Sequence, residues 1–100
     1  MIRHVVMWTF ANEAGGADRA ANVARARSEL AALDGLVPGM RSLEVVVAPE
    51  HLEHTHDLLL VADFDSAADL AAYSTHPRHV DVASFIAEVR TGRACIDYET

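Results

Sequence analysis

The opening run of this chain, Ile2 to Phe10, is apolar on both of its faces, and few small folds can accommodate such a segment. In an extended conformation His4, Val6, Trp8 and Phe10 point one way, and Val5, Met7 and Thr9 point the other. A strand of this kind needs cover on both sides. The chain has 100 residues, enough for a single domain over 1–100. A domain of that size buries roughly 60–65% of its unfolded surface, yet 51% of the residues are hydrophobic. That is more apolar material than one small core takes up, so a second subunit is the natural cover for the remainder.

The remaining elements read from pattern and punctuation. Residues 12–16 form a loop carrying Gly15-Gly16, and 17–34 a helix with Ala20, Val23, Ala24, Leu30 and Leu33 near one face, Arg19, Arg25 and Glu29 outside, and Asp18 suited to the dipole at its start. Gly35 stops this helix and Pro38-Gly39 turns the chain. A second strand spans 41–48 around Val45-Val46-Val47, ended by Pro49. Residues 50–56 are polar and loop-like, and 57–64 form a third strand. Ser66-Ala67-Ala68-Asp69 resembles a capping box, with Asp in place of the usual Glu, and opens a short helix over 67–75. This helix ends near His76 because the residue before Pro77 disfavours the helical region. Pro77 then serves as the first residue of a helix over 77–89, with Val82, Phe85, Ile86 and Val89 on its apolar face. Gly92 breaks it, and 93–99 is the last strand. The order β-α-β-β-α-α-β gives an α+β, ferredoxin-like βαββαβ pattern with an antiparallel four-stranded sheet. Helices cover one sheet face. The same sheet from a second subunit covers the other, making a homodimeric α/β barrel.

Composition excludes several functions. The net charge of −7 argues against nucleic acid, whose phosphates require clustered Lys and Arg. All eight basic residues are arginine, which together with the alanine richness reads as the codon bias of a GC-rich, bacterial-type genome. No run of about 18 apolar residues is available to span a membrane. The N-terminus has neither a long apolar stretch nor a small-residue cleavage site, so a cytoplasmic location is expected. Cys95 is the single cysteine, which excludes an intrachain disulfide; its apolar flanks suggest a packed thiol rather than a nucleophile.

Several segments, in order and at matching spacing, resemble the stress-responsive dimeric α/β-barrel (Dabb) domain family. They are the opening Ile2-Arg3-His4-Val5-Val6-Met7-Trp8, the run Asp57 to Ser66, the segment Leu70 to Val80 with its Tyr…His-Pro-x-His core, and the closing Ile96-Asp97-Tyr98-Glu99. The resemblance implies a dimer of packed sheets with a pocket between sheet and helices in each subunit. The family includes plant stress-induced proteins, bacterial members of unknown role, and a plant polyketide cyclase that closes a ring by intramolecular aldol condensation. In that cyclase a tyrosine and the last histidine of the Tyr…His-Pro-x-His segment form the catalytic pair, and the first-strand histidine lines the pocket. The matching positions here are Tyr73, His79 and His4.

An aldol cyclisation needs a base to take a proton beside a carbonyl and a donor to hold the oxygen as charge develops. Histidine suits the base, having an unperturbed pKa near 6.5. On this reading His79 is the base, Tyr73 the oxygen donor or orienter, and His4 an auxiliary polar group. Val6, Trp8, Leu60 and Arg93 are the substrate-binding candidates, Arg93 as partner for a carboxylate. The ligand is a small apolar carbonyl or aromatic compound, and no cofactor is required. Each of these residues also has a structural reading. His79 and Tyr73 can tie down the junction of the two short helices, His4 can be a satisfied core histidine, and Arg93 a surface residue or dimer salt bridge. The alternatives to a cyclase-like enzyme are a non-catalytic stress-responsive or ligand-binding dimer and, third, a cofactor-free monooxygenase-like enzyme.

No metal site is assigned. His51, His54 and His56 have a ligand-like spacing but sit between glutamates in a polar loop. Pro77 distorts the helix between His76 and His79. Asp63, Asp65 and Asp69 lack the glycine of a calcium loop and read as strand end and helix cap. Gly15-Gly16 carries no phosphate-loop pattern.

Overall fold

A computed structural model describes residues 1–100. Its main sheet contains β1 (Ile2–Phe10), β4 (Met40–Val47), β5 (Leu58–Phe64) and β6 (Arg90–Glu99), in the order β4-β5-β1-β6 with every pairing antiparallel. Three helices lie on one face: α1 (Arg19–Ala31), α2 (Ala67–Thr75) and α3 (Pro77–Val89). This is the ferredoxin-like α+β arrangement. No helix is long and apolar enough to cross a membrane.

The period-2 pattern sorts the side chains as expected. On the helix side His4, Val6, Trp8 and Phe10 of β1 and Leu58, Leu60, Ala62 and Phe64 of β5 are all buried. They meet Val23, Ala26 and Leu30 from α1, Tyr73 from α2, and Val82, Ile86 and Val89 from α3. On the other face no element covers the sheet. Met7, Val46, Ile96 and Tyr98 are exposed there, with Val5, Leu59 and Val61 half-buried among them.

Local chemistry sets the boundaries of the helices. Asp18 caps α1, its carboxylate accepting from the Ala21 amide at 2.8 Å. The Ser66 hydroxyl accepts from the Asp69 amide at 3.2 Å and donates to the Asp69 carboxylate at 2.8 Å, fixing the start of α2. His76 ends α2 and caps α3 in an extended conformation, its Nδ1 accepting from the Arg78 amide at 3.1 Å, and Pro77 is the first residue of α3. Asp57 lies just before β5, where its carboxylate accepts from the Phe10 amide at 2.8 Å.

Five expectations are corrected. The segment before α1 is a hairpin, β2 (Glu13–Ala14) with β3 (Ala17–Asp18), so α1 begins at Arg19 and not at 17. Gly15 and Gly16 both have positive φ, as a two-residue primed turn demands. The helix stops at Ala31, and Gly35 closes the following turn at φ 74°. Its buried stripe runs through Asn22, Val23, Ala26 and Leu30, leaving Ala20 and Ala24 exposed. The buried Asn22 donates to the Ala14 and Ala17 carbonyls, at 3.0 and 3.4 Å, and so ties the hairpin to α1. Strand β6 starts at Arg90, directly after α3, with Gly92 inside the strand. Cys95 is exposed and not packed, because β6 is an edge strand.

Gly39 is buried at the approach of the α1–β4 turn to α2. A Cβ at that position would fall 2.1 Å from Asp69 Cγ, and the Ser66 hydroxyl holds the Asp69 carboxylate in place. Gly39→Ala is expected to destabilise the domain by about 1–3 kcal/mol in denaturant titration, the usual range for overpacking. The penalty should shrink in an Asp69→Ala background, because the clash is with that side chain. Equal penalties in both backgrounds would place the cost elsewhere.

Candidate functional site

The α2–α3 junction determines where two of the three matched residues go. Because His76 is extended and Pro77 restarts the helix, Tyr73 near the end of α2 and His79 in the first turn of α3 bring their rings into contact, with centroids 4.6 Å apart and planes tilted by 56°. Phe64 of β5 also packs against Tyr73, with ring centroids 5.3 Å apart. Tyr73 is fully buried, and its hydroxyl finds no hydrogen-bond partner in the protein. Burial pushes its pKa up to about 12, so it remains a protonated donor at any physiological pH.

His79 is half-buried. Its Nδ1 lies 2.9 Å from the Ser74 carbonyl, which can only accept, so Nδ1 carries the proton and Nε2 the lone pair. Burial holds the imidazole below its ordinary pKa, and the neighbouring His4 and Arg93 push the same way; the Ser74 carbonyl opposes them. His79 lines a cleft of about 140 Å³ between α1, α3 and the end of the sheet, whose other walls are Trp8, Leu30, Ala83, Ile86, Arg90 and Arg93.

His4 lies on the same row of β1 as Trp8. It is buried, and Asp97 on β6 accepts from its Nδ1 at 2.5 Å. Register places Arg93 opposite Trp8, Cys95 opposite Val6 and Asp97 opposite His4. Of the expected site residues, the structure thus brings His79, Trp8 and Arg93 onto one cleft. It sets Tyr73 behind His79 and His4 further along the strand, and it packs Val6 and Leu60 in the core, 1% and 2% exposed. Arg90 is an additional wall residue. In the sequence it sat in a stretch read as helix end, with no pattern to mark it as facing a cavity.

The donor atoms of His4, Cys95 and Asp97 lie within 4.8 Å of one another. The 2.5 Å between His4 Nδ1 and the Asp97 oxygen is a hydrogen bond. Two ligands of one tetrahedral zinc stand about 3.3 Å apart, as bond lengths of about 2.0–2.1 Å require, so the group as arranged is hydrogen-bonded within itself rather than spaced as a ligand set. Desolvation and the Asp97 carboxylate push the Cys95 thiol above its ordinary pKa, which keeps it protonated and a poor nucleophile. The loop histidines do not converge: His54 bonds the Leu52 carbonyl and His56 the Thr55 hydroxyl.

Comparison with known proteins places these features in a family. A crystal structure of a dimeric, ferredoxin-like protein from Bacteroides fragilis superposes with a TM-score of 0.85 at 27% identity, covering 99% of this chain and 95% of that one. The hydroxynitrile lyase of Passiflora edulis superposes with a TM-score of 0.75 at 14% identity, over 97% of this chain and 90% of the other. A Nitrosomonas europaea protein assigned to the antibiotic biosynthesis monooxygenases gives 0.80 at 14% identity, over 100% and 98%. Identities of 14% speak to the fold alone. No curated protein sequence matches the chain. The family model of the stress-responsive A/B barrel domain matches residues 2–100, and the chain accordingly belongs to the Dabb family.

Proposed function

We propose that this protein is a homodimer in which each subunit binds a small apolar carbonyl compound in the cleft beside His79, and that His79 acts on it as a cofactor-free general base, as in an aldol-type cyclisation. The observation that carries this reading is the state of His79. Its Nδ1 is committed to the Ser74 carbonyl, and its surroundings favour the neutral ring. The remaining lone pair belongs to a side chain that lines a cleft with an apolar wall of Trp8, Leu30, Ala83 and Ile86. Tyr73, buried behind His79 and in ring contact with it, serves as orienter of the base. His4 is the auxiliary polar group.

The first step of such chemistry can be tested before the natural substrate is known. Acetophenone, one ring with a ketone, has the right size, and its methyl protons exchange with D2O through the enolate. The protein should accelerate this exchange over buffer, as followed by NMR. His79→Ala should lower the rate by about 10²–10⁴-fold, the usual contribution of a positioned base. Tyr73→Phe should lower it less. Saturable binding of the ketone with no acceleration of exchange supports a ligand-binding protein instead.

The pH dependence has a fixed sign. The base works when neutral, and His79 is held below its ordinary value, so exchange should be on its plateau at pH 7 and fall only on acidification through a midpoint under 6.5. A midpoint above 6.5 would contradict the assignment of His79.

The dimer rests on the uncovered sheet face. Ile96 is 66% exposed on the β6 side of this face, and Met7, Tyr98 and, on β4, Val46 are exposed on it too. The protein should sediment as a dimer at micromolar concentration, and Ile96→Asp should convert it to a monomer. A wild-type protein that sediments as a monomer would remove the dimer from the proposal.

A further inference from the structure

The cleft is chemically unlike the rest of the molecule. The chain carries 15 acidic residues against 8 arginines, yet no carboxylate lines the cleft, whereas two guanidiniums, Arg90 and Arg93, do. Of the six arginines elsewhere, all but the exposed Arg27 on the outer face of α1 are engaged with the protein. Arg3, Arg25 and Arg41 pair with Asp63, Glu29 and Asp65, while Arg19 and Arg78 donate to the Phe10 and Ala32 carbonyls. Arg90 and Arg93 bond no carboxylate and no carbonyl, and Arg93 lies beside the Cys95 thiol. Two fixed positive charges at the rim of an apolar cleft, in a protein of net charge −7, suit a ligand with an apolar body and an anionic end.

The volume limits the body of that ligand. A cavity of about 150 Å³ accepts benzene, and this cleft measures about 140 Å³, which is room for one six-membered ring. The indole of Trp8 with Leu30 and Ile86 forms the wall on which a ring would lie. A carboxylate is the anion of choice, because the planar guanidinium matches it with two parallel hydrogen bonds and one carbon joins it to the ring.

We infer that the cleft recognises small carboxylates of single-ring size, with Arg90 and Arg93 holding the carboxylate, Trp8 the ring, and His79 facing the carbon to be deprotonated. The inference rests on the reading of this cleft as the ligand site, but not on catalysis by His79. It names the substrate class as a carboxylate-bearing carbonyl compound rather than a neutral ketone.

The chain has a single tryptophan, so its indole N–H gives one resonance that reports on the cleft. Benzoate and its neutral counterpart benzyl alcohol are titrated against this signal. Benzoate should shift it saturably, with an affinity at least about tenfold above that of benzyl alcohol, the scale of a charge-assisted hydrogen bond. Arg90→Gln and Arg93→Gln alter exposed side chains without carboxylate or carbonyl partners, so the fold should survive. Each should weaken benzoate about tenfold while leaving benzyl alcohol unchanged. His79→Gln should retain the preference for benzoate even where it abolishes proton exchange. An anion preference without exchange therefore sinks the base and leaves this inference standing. Equal affinity for the two compounds, or arginine variants that bind benzoate like the wild type, overturns the inference and leaves the base untouched. If neither compound moves the indole resonance at millimolar concentration, both readings fall.

Discussion

The central position of β1 is the constraint on which the rest of this structure depends. Its backbone is hydrogen-bonded on both sides, to β5 and to β6, so its register is fixed twice over. A slip by one residue would exchange His4, Val6, Trp8 and Phe10 with Val5, Met7 and Thr9. That would place the core row on the open face and the open row under the helices. The cleft and the uncovered face are thus two sides of one strand. Trp8 walls the cleft while its neighbour Met7 belongs to the exposed apolar surface. Whatever holds β1 in place organises both proposed binding surfaces together.

The second determinant is the break at His76-Pro77. A continuous helix from Ala67 to Val89 would carry Tyr73 and His79 on different sides, because six residues amount to 1.67 turns. The extended His76 and the restart at Pro77 turn the two rings into contact and place the Ser74 carbonyl opposite His79 Nδ1. A backbone carbonyl near the end of α2, left unsatisfied by the termination of the helix, thereby becomes the group that sets the tautomer of the histidine. The feature that ends one helix is the feature that prepares the imidazole.

Much of this fold was legible in the sequence because its signals are local. Ser66 with Asp69, the His76-Pro77 pair and the alternation in β1 each act through neighbouring atoms, and the bounds of α2 and α3 follow from them directly. The misses share a different origin. The hairpin before α1 is held by Asn22, a polar residue on a helix face that pattern reading assigns to solvent, and its bonds to Ala14 and Ala17 exist only once the hairpin has formed. Cys95 has an apolar neighbourhood in sequence and an open one in space, because the order of strands puts β6 at an edge. The cleft was legible only in part. His79, Trp8 and Arg93 could be named beforehand, but Arg90 joins them through the abrupt passage from α3 into β6, which no residue type announces. His4 and Asp97, 93 positions apart, meet only through the β1–β6 register.

The electrostatics of the cleft tie the two proposals together. A base is useful at neutral pH only if it is unprotonated; burial above all keeps His79 so, and the Arg93 guanidinium adds to it. The cost is a weaker base, since a depressed pKa lowers the driving force for taking a proton from carbon. An enolate, however, carries its new negative charge next to the same cations. A fixed guanidinium in a cleft with apolar walls stabilises that charge more than it does the neutral ketone. A substrate carboxylate would offset the Arg93 charge beside His79, while burial, which contributes most to the lowered pKa, stays in place. An anionic end on the ligand would thus serve recognition through the same arginines that face the developing enolate.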